Sequence, residues 1–144
     1  CPTGLGEPVF DKLDACLAHG FMSVGTVKGV EIGSGFASTR MKGSEHNDAF
    51  EMQDGDQVGT STNYSGGILG GISSGEEIIV RAAIKPASSI RKTQDTVSKT
   101  GDSEKITVEG RHDPCICPRA VPVLEAMAAL VILDLDLIQK SISH

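Results

Sequence analysis

The chain has 144 residues, of which 39% are hydrophobic and 22% charged, a composition typical of one globular domain with its own core. The formal net charge of −6 and the aromatic content of 3% argue against a nucleic-acid partner, which would need positive charge and stacking side chains. No apolar run is long enough to span a membrane, and no secretory signal stands at the front. Because the chain opens with Cys1 and Pro2 instead of Met, we interpret it as part of a longer protein.

The cysteines Cys1, Cys16, Cys115 and Cys117 are not spaced like a disulfide framework, and a chain with this apolar content does not need one. Cys115 and Cys117 stand close to His112, but no second pair of ligands follows at a zinc-like spacing. We therefore predict no metal site, reduced thiols and a cytoplasmic location.

The first part of the chain predicts a helix, a strand and a long loop. A turn at residues 4–8 brings Pro8 to a helix start, where its missing N–H is not needed. Residues 22–33 are rich in Val, Thr, Ile and Gly and predict a strand, bent at one of its glycines. Residues 34–65 are polar and predict a long loop, which is either functional or disordered. The first helix is expected to end at Gly20, and its apolar residues at helical spacing are Val9, Phe10, Leu13, Cys16 and Leu17.

The second part predicts strands followed by one long helix. Residues 76–84 predict a strand, and residues 94–97 and 106–108 predict two short strands on either side of a turn at residues 100–102. Residues 119–142 predict the strongest helix, and its apolar residues cover most of the circumference, so we expect it to be buried between layers. Hairpin connections and two helices predict the α+β class, with an antiparallel sheet packed on helices.

The densest group of reactive side chains is Arg111, His112 and Asp113, which lies at the end of a predicted strand just before the long helix. A guanidinium offers a fixed fork of donors that suits phosphate or carboxylate, and a neighbouring carboxylate can hold or receive a proton. Three such residues are also typical of a surface turn with an Arg–Asp pair, so both interpretations stay open.

A second candidate is the turn after the best strand, which consists of Lys85, Pro86, Ala87, Ser88 and Ser89. An ammonium, two hydroxyls and free backbone N–H groups can hold a phosphate, whereas the alternative is a strand that simply ends in a proline turn. The turn is not a Walker loop, because the order of Gly, Lys and Ser/Thr is missing. The glycines of residues 66–71 match no phosphate-binding fingerprint, and we expect them to allow close packing of backbone or close approach of a ligand.

Several segments occur together in an order that is typical of one family. They are GLGEPVFDKLDA, KGVEIGSGF, GSEHND, GGILGGISSG, IKPASSI, GRHDPC and RAVPVLEAMAALV. GRHDPC running into RAVPVLEAMAALV is the highly specific part, and the other segments persuade in combination. Over residues 4–137 the chain thus resembles the chorismate synthases.

The resemblance implies a phosphate-eliminating carbon–oxygen lyase of aromatic amino acid biosynthesis, which converts 5-enolpyruvylshikimate 3-phosphate to chorismate by anti-1,4-elimination. Members of the family need reduced FMN although the reaction has no net redox change, and they form homotetramers. Their helices are sandwiched between two antiparallel sheets. Residues 1–144 would then be the carboxy-terminal part of such an enzyme, a single domain that forms one half of the β-α-β sandwich.

Residue by residue, the resemblance implies a catalytic pair and a cofactor-binding set. Asp113 matches the carboxylate that helps the central ring nitrogen of the flavin to exchange a proton, and Arg111 matches a residue near both flavin and substrate. Gly25 replaces a larger residue that is common in the family, so only a backbone contact carries over there, and Tyr64 replaces a commoner polar residue. The implied cofactor-binding residues are Gly25, Thr26, Ser65, Gly66, Lys85, Pro86, Ala87, Ser88, Ser89 and Arg111.

The family's two catalytic histidines and most of its substrate-binding arginines belong to an amino-terminal half that this chain lacks. His19, His46, His112 and His144 match neither histidine motif, so we expect the chain to be inactive by itself. Two alternatives remain. One is a stand-alone flavin-binding oxidoreductase, for which no dinucleotide fingerprint is present. The other is a non-catalytic flavin-binding or assembly module that uses the helix of residues 119–142 as its contact surface.

Overall fold

The computed structural model describes residues 1–53, 55 and 57–142. These residues form two α-helices, α1 (Leu13–Ser23) and α2 (Cys117–Ile142), a 3-10 helix (Gly35–Arg40) and short strands, so the predicted α+β class is confirmed. The strands are β1 (Val27–Ile32), β2 (Phe50–Gln53), β3 (Gln57–Thr60), β4 (Ile68–Leu69), β5 (Ile72–Ser73), β6 (Val80–Ile84), β7 (Gln94–Val97) and β8 (Ser103–Ile106).

The strands pair antiparallel throughout the described residues, as the sequence predicts. β1 pairs with β6, which is distant along the chain, and the other pairs are the hairpins β2–β3, β4–β5 and β7–β8. At one end of the β1–β6 pair Val27 lies opposite Ile84, and at the other end Ile32 lies opposite Val80. α1 packs against β1, and α2 packs against α1.

Pro8 predicts a helix start near residue 8, but the first helix begins at Leu13. Val9 has a φ of 68°, and a β-branched residue in the left-handed region cannot continue a right-handed helix. Val9 and Phe10 consequently lie exposed. The amide of Leu13 donates to the carbonyl of Gly71 at 2.8 Å. The start of α1 is therefore decided by a tertiary contact with the turn between β4 and β5.

Gly20 does not end α1, because the helix continues to Ser23. The glycine faces α2 instead: a methyl group at this position would lie 3.1 Å from Cγ2 of Val131 and 3.2 Å from Cγ of Met127. The missing side chain lets the two helices approach closely. The prediction of a helix end was wrong because a packing glycine and a terminating glycine look alike in a single sequence.

The central strands are shorter than predicted. β1 begins at Val27 instead of residue 22, because α1 continues through Ser23 and Thr26 has a φ of 79°. A shift in the β1–β6 register between Val27 and Gly29 matches the bend that the glycines predict. β6 begins at Val80 instead of residue 76, so only the second half of the predicted strand pairs with β1.

The β7–β8 hairpin confirms the strand at Gln94–Val97 but corrects the position of its partner. β8 spans Ser103–Ile106, so the predicted strand at residues 106–108 begins where the observed strand ends. The amide of Ser98 donates to the carbonyl of Asp102 at 2.8 Å, and Gly101 has a φ of 91°. The turn is thus complete before residue 103, which places the second strand earlier.

Residues 34–65 are not a structureless loop, because the 3-10 helix and the β2–β3 hairpin lie within them. In the hairpin Phe50 lies opposite Thr60 and Gln53 opposite Gln57. Both strands are exposed except at Gly59, which is buried, and Thr60, which is half-buried. Phe50 and Met52 alternate with polar residues in β2, but each strand is only four residues long, which is too short a run for a firm strand prediction.

The core lies between α1, the β4–β5 hairpin and one face of α2. Leu13, Leu17 and Phe21 of α1 are buried at helical spacing, as the amphipathic pattern of the first helix predicts. The complete buried cluster is Leu5, Leu13, Leu17, Phe21, Ile68 and Leu135.

The long helix is covered on one side only. α2 begins at Cys117, two residues before its predicted start, and Leu135 is the buried residue that it contributes. The exposed fractions of Leu130, Leu133 and Leu137 are 62%, 53% and 56%. The prediction that this helix is buried between layers was therefore wrong for this chain. In the residues that the structure describes, α1 covers one side of α2, and nothing covers the other side.

Candidate functional site

A hollow of about 610 Å³ brings the two predicted phosphate-binding segments together. Residues 86–87 and 90–91, which follow β6, line one side, and residues 110–114, which precede α2, line the other. Nη2 of Arg91 donates to the carbonyl of Gly110 at 3.2 Å and ties the two sides to each other. We call this feature the Arg111 hollow.

Asp113 lies between two guanidinium groups at the edge of the Arg111 hollow. Its Oδ2 accepts a hydrogen bond from Nη1 of Arg119 at 2.6 Å, and its Oδ1 is 3.6 Å from Nη2 of Arg111. The side chain of Asp113 is 27% exposed, whereas that of Arg111 is 87% exposed. The first turn of α2 therefore orients the carboxylate, and the guanidinium of Arg111 extends towards solvent, where an anionic ligand can reach it.

His112 lies between these two residues in sequence and also lines the hollow. Its Nε2 lies 3.4 Å from the carbonyl of Val108, so the ring braces the turn against the chain that leads into it. The interpretation of residues 111–113 as a mere surface turn with an Arg–Asp pair accounts for the short Arg111–Asp113 contact. It does not account for the shared hollow with residues 86–87.

Thr26 contacts the turn at residues 85–89 through its backbone. The amide of Lys85 donates to the carbonyl of Thr26 at 2.9 Å, one step beyond the pair formed by Val27 and Ile84. Thr26 is β-branched and has a φ of 79°, a strained conformation of the kind found at functional turns. Residues 25–26 therefore lie beside the first residue of the turn at residues 85–89.

Only some residues of the turn at residues 85–89 line the Arg111 hollow. Pro86 and Ala87 line it, whereas Lys85, Ser88 and Ser89 are exposed and do not. The carbonyl of Ser88 accepts a hydrogen bond from Nε2 of Gln94 at 3.4 Å. The three polar side chains thus stand at the rim, available to a ligand that extends beyond the hollow.

Ser65 and Gly66 lie at the opposite end of the β1–β6 pair. The amide of Ile79 donates to the carbonyl of Gly66 at 3.2 Å, and the amide of Gly33 donates to the carbonyl of Ile79 at 2.9 Å. These contacts extend the end at which Ile32 lies opposite Val80. From there to Thr26 the strand runs roughly 16–20 Å. The structure therefore does not bring Ser65 and Gly66 into the Arg111 hollow.

Asp48 organises the segment that carries Ser65. Its Oδ1 accepts hydrogen bonds from the hydroxyl of Thr62 at 2.7 Å and the amide of Tyr64 at 2.8 Å, and its Oδ2 accepts one from the amide of Ser65 at 2.8 Å. The ring of His46 stacks on Tyr64 at 5.5 Å between centroids. Partial burial would raise the pKa of Asp48, but the hydrogen bonds to its carboxylate outweigh that effect and lower the pKa to about 2.

A second hollow of about 610 Å³ lies between β6 and the first half of α2, and we call it the apolar groove. Glu125 is the charged residue on its lining, and the other side chains are apolar. Such a surface is typical of a contact with protein and offers no donors for a phosphate. Its walls include alternate residues of β6 and residues at helical spacing on α2: Val80, Ala82 and Ile84, and Ala120, Leu124 and Ala128.

The described residues lack two further kinds of feature. They contain no group of three or more His, Cys, Asp or Glu that is placed to bind a metal ion. No helix in this part of the chain is both long and apolar enough to cross a membrane.

Comparison with known proteins identifies the family. A sequence model of the family described as chorismate synthase matches residues 1–137. The chorismate synthase of Gloeothece citriformis (strain PCC 7424) is 59% identical over 133 residues, which cover 92% of this chain and 37% of that protein. The chain belongs to the chorismate synthase family. The chorismate synthase of Lachnoclostridium phytofermentans (strain ATCC 700394 / DSM 18823 / ISDg) is also 59% identical, over 134 residues.

A solved structure agrees with this assignment. A crystal structure of chorismate synthase matches with a TM-score of 0.75 and 31% identity, over 96% of this chain and 34% of that one. The chain spans about 37% of the length of the chorismate synthases that it matches in sequence. The resemblance that GRHDPC and the following helix carry is thus confirmed, and so is the mixed fold of antiparallel strand pairs and helices.

The Arg111 hollow fits a flavin that carries a phosphate. Its volume of about 610 Å³ is in the range of small-molecule sites. Arg91 and Arg111 offer charged donors, which suit an anionic group, and Pro86, Ala87 and Ile90 offer apolar surface, which suits a planar ring. The carboxylate of Asp113 adds a group that can exchange a proton.

Sequence reasoning missed two residues that shape the Arg111 hollow and one that organises the separate segment around Ser65. Arg119 orients Asp113 through a hydrogen bond. The signal in the sequence was a basic residue at the start of the predicted helix, six positions after the acidic one. Arg91 ties the two sides of the hollow, and nothing in its local sequence singles it out. Asp48 lies in GSEHND, a segment typical of the family, yet its role as an acceptor for Ser65 depends on a contact across 17 residues.

Proposed function

We propose that the chain is the carboxy-terminal part of a chorismate synthase and supplies one side of its flavin site. The reaction is the anti-1,4-elimination of phosphate from 5-enolpyruvylshikimate 3-phosphate, which gives chorismate in aromatic amino acid biosynthesis. The protein is then a phosphate-eliminating carbon–oxygen lyase. The observation that carries the proposal is the meeting of residues 86–87, Arg111 and Asp113 in one hollow of a chain that belongs to this family.

The cofactor in this proposal is reduced FMN, which supplies an electron-rich ring that stabilises the charge developing as phosphate departs. The exposed guanidinium of Arg111 binds an anionic group of the cofactor or the substrate. Asp113, held by Arg119, is positioned to hold or receive a proton at the edge of the ring.

The rim residues take the phosphate end of the cofactor. The ammonium of Lys85 and the hydroxyls of Ser88 and Ser89 are exposed beside the hollow and are suited to bind phosphate oxygens. The backbone of Gly25 and Thr26 approaches from β1 through the hydrogen bond between Thr26 and Lys85. Ser65 and Gly66 are proposed cofactor contacts as well, but the geometry of the hollow does not support them.

Three further features belong to the proposal. The two catalytic histidines and most substrate-binding arginines lie in an amino-terminal part of the enzyme, so this chain by itself does not turn over. The complete enzyme is a homotetramer. It is located in the cytoplasm, which is consistent with the four cysteines being free thiols.

The test is a chimera in which this chain replaces the matching carboxy-terminal segment of the chorismate synthase of Gloeothece citriformis, which is 59% identical to it. With reduced FMN and substrate, we expect phosphate release from the chimera and none from the isolated chain. Turnover by the isolated chain would contradict the placing of the catalytic histidines. A folded chimera that binds FMN but releases no phosphate would contradict the proposed reaction.

Variants of the chimera separate the roles of the two site residues. Asp113→Asn removes the proton-accepting group and is expected to lower kcat roughly 100-fold or more while FMN still binds. Arg111→Ala removes a charge-assisted hydrogen bond and is expected to weaken binding of FMN or substrate about 10- to 100-fold. The matched control is Arg40→Ala, at the end of the 3-10 helix and outside the hollow. Equal behaviour of the two arginine variants would end the assignment of Arg111.

A further inference from the structure

Cys115 and Cys117 form a pair of exposed thiols at the point where the Arg111 hollow meets α2, and the proposed function uses neither of them. Cys117 is the first residue of α2, and Cys115 directly follows Pro114, which lines the hollow. Cys16 is different, because it lies on α1 and packs against the buried core.

The spacing of the pair places the two sulfur atoms within reach of each other. Two residues span at most about 7 Å when extended, and a turn brings their Cα atoms closer. A disulfide needs Cα atoms roughly 4.4–6.8 Å apart. The carbonyl of Ile116, between the two cysteines, accepts hydrogen bonds from the amides of Arg119 and Ala120, both at 3.0 Å. The backbone thus turns into the helix here, which keeps the two cysteines close together.

We propose that Cys115 and Cys117 are a reversible dithiol–disulfide site that reacts with small disulfides such as glutathione disulfide. The thiolate of Cys115 attacks one sulfur, a mixed disulfide forms and one glutathione thiolate leaves. The thiolate of Cys117 then attacks the sulfur of Cys115, the protein disulfide forms and the second glutathione leaves. In total, two protein thiols are oxidised and one glutathione disulfide is reduced to two glutathiones, which take up the two protons.

The order of attack follows from the environment of the two thiols. The hydrogen bond with Cys115 is the largest of the effects that raise the pKa of the Cys117 thiol, and the negative charge of an ionised Cys115 adds to it. Cys117 therefore keeps its proton while Cys115 acts as the nucleophile. Because the site is exposed and the ring that closes is small, the disulfide is of the labile kind and opens again with dithiothreitol.

The test uses the chain itself and mass spectrometry. The chain is incubated with glutathione disulfide, alkylated with iodoacetamide and cleaved with trypsin, which releases residues 112–119 as one peptide. We expect this peptide to lose about 2 Da, the mass of two hydrogen atoms, and to carry no alkyl group. After dithiothreitol it should carry two. A peptide that stays fully alkylated, or that carries two glutathiones, would overturn the proposal.

Two serine variants provide matched controls. In Cys117→Ser the second step is impossible, so the peptide should accumulate one glutathione, a gain of about 305 Da. In Cys115→Ser the reaction should likewise stop at one glutathione, here on Cys117. In the unchanged chain, a limiting amount of iodoacetamide should alkylate Cys115 before Cys117, because Cys115 is what raises the pKa of the Cys117 thiol. Equal alkylation of the two thiols in the unchanged chain would contradict the assignment of Cys115 as the nucleophile. Since flavin is absent throughout, the result does not depend on the proposed lyase function.

Discussion

Asp48 links the polar segment of residues 34–65 to the chain around Ser65. It accepts hydrogen bonds from Thr62, Tyr64 and Ser65, and these bonds favour the ionised carboxylate. The folded-state pKa of about 2 lies below the ordinary value of 3.8, so the folded chain binds the proton less readily than the unfolded chain. The contribution of Asp48 to stability is therefore complete above a pH of about 4 and is lost as the pH falls towards 2.

The variant Asp48→Asn tests this contribution. It is expected to lower the free energy of unfolding by about 1–2 kcal/mol at pH 7, a figure discounted for the partial exposure of the side chain. The difference from the unchanged chain should shrink at pH 2, where Asp48 itself is largely protonated. Urea unfolding at pH 7 and at pH 2 measures this difference in the free energy of unfolding. Asp95→Asn serves as the control, since Asp95 is exposed and has only an ion pair at 3.9 Å. A loss at pH 2 equal to that at pH 7 would point to packing instead of charge.

Arg111 and Asp113 show how far a single sequence reaches at the residue scale. The side chains that are chemically suited to a site were visible in GRHDPC, because a guanidinium beside a carboxylate stands out in any sequence. The partner that holds Asp113 was not visible, since Arg119 acts through a side-chain contact at 2.6 Å that only the fold creates.

At the scale of elements, the contact between α1 and α2 depends on one glycine. Gly20 leaves room for Val131 and Met127, and a methyl group there already approaches them to 3.1 Å and 3.2 Å. A larger side chain would have to push the helices apart or force the neighbours out of their rotamers. Glycine lowers the stability of an isolated helix, so Gly20 stabilises the protein only through the close packing of α1 on α2.

Gly20→Val is accordingly expected to lower the free energy of unfolding by about 1–3 kcal/mol. The matched control is Ala15→Val, which places the same side chain at an exposed position of the same helix. Thermal unfolding of the two variants beside the unchanged chain gives the comparison. If Gly20→Val were as stable as Ala15→Val, the two helices would not be in close contact at this point.

The elements that the sequence predicted well are those with a buried face. α1 and the β1–β6 pair pack against the core, and their apolar residues recur with the matching period. The β2–β3 hairpin was missed because each strand is only four residues long and its apolar residues are exposed. The bounds of α1 were wrong for another reason, since a hydrogen bond from Leu13 to Gly71 decides where it starts.

At the scale of the whole molecule, α2 has two apolar faces and only one of them is covered. Leu124, Val131 and Leu135 belong to the face that packs on the core. Leu130 and Leu137 are more than half exposed and lie one heptad apart on the other face. An apolar face of this kind is typical of a surface that binds protein. In the proposed homotetramer, we expect a second copy of the chain to contact it.

The isolated chain is therefore expected to self-associate as its concentration rises, and Leu130→Gln with Leu137→Gln should shift it towards the monomer. Sedimentation velocity at several concentrations measures the shift. The control is Val97→Gln with Ile106→Gln, which removes two exposed apolar side chains from the β7–β8 hairpin. A monomer at every concentration, or an equal shift in both double variants, would contradict an interface on α2.

The sequence by itself determined the family, the α+β class, the antiparallel pairing and the residue types of the candidate site. These properties depend on short motifs and on the period of apolar residues, which act over a few positions along the chain. Only the tertiary structure decided that residues 86–87 meet Arg111 and Asp113 in one hollow while Ser65 and Gly66 lie at the far end of the sheet. It also decided the role of Gly20 and the exposure of α2. Each of these depends on contacts between segments that are distant along the chain, and local sequence carries no record of such contacts.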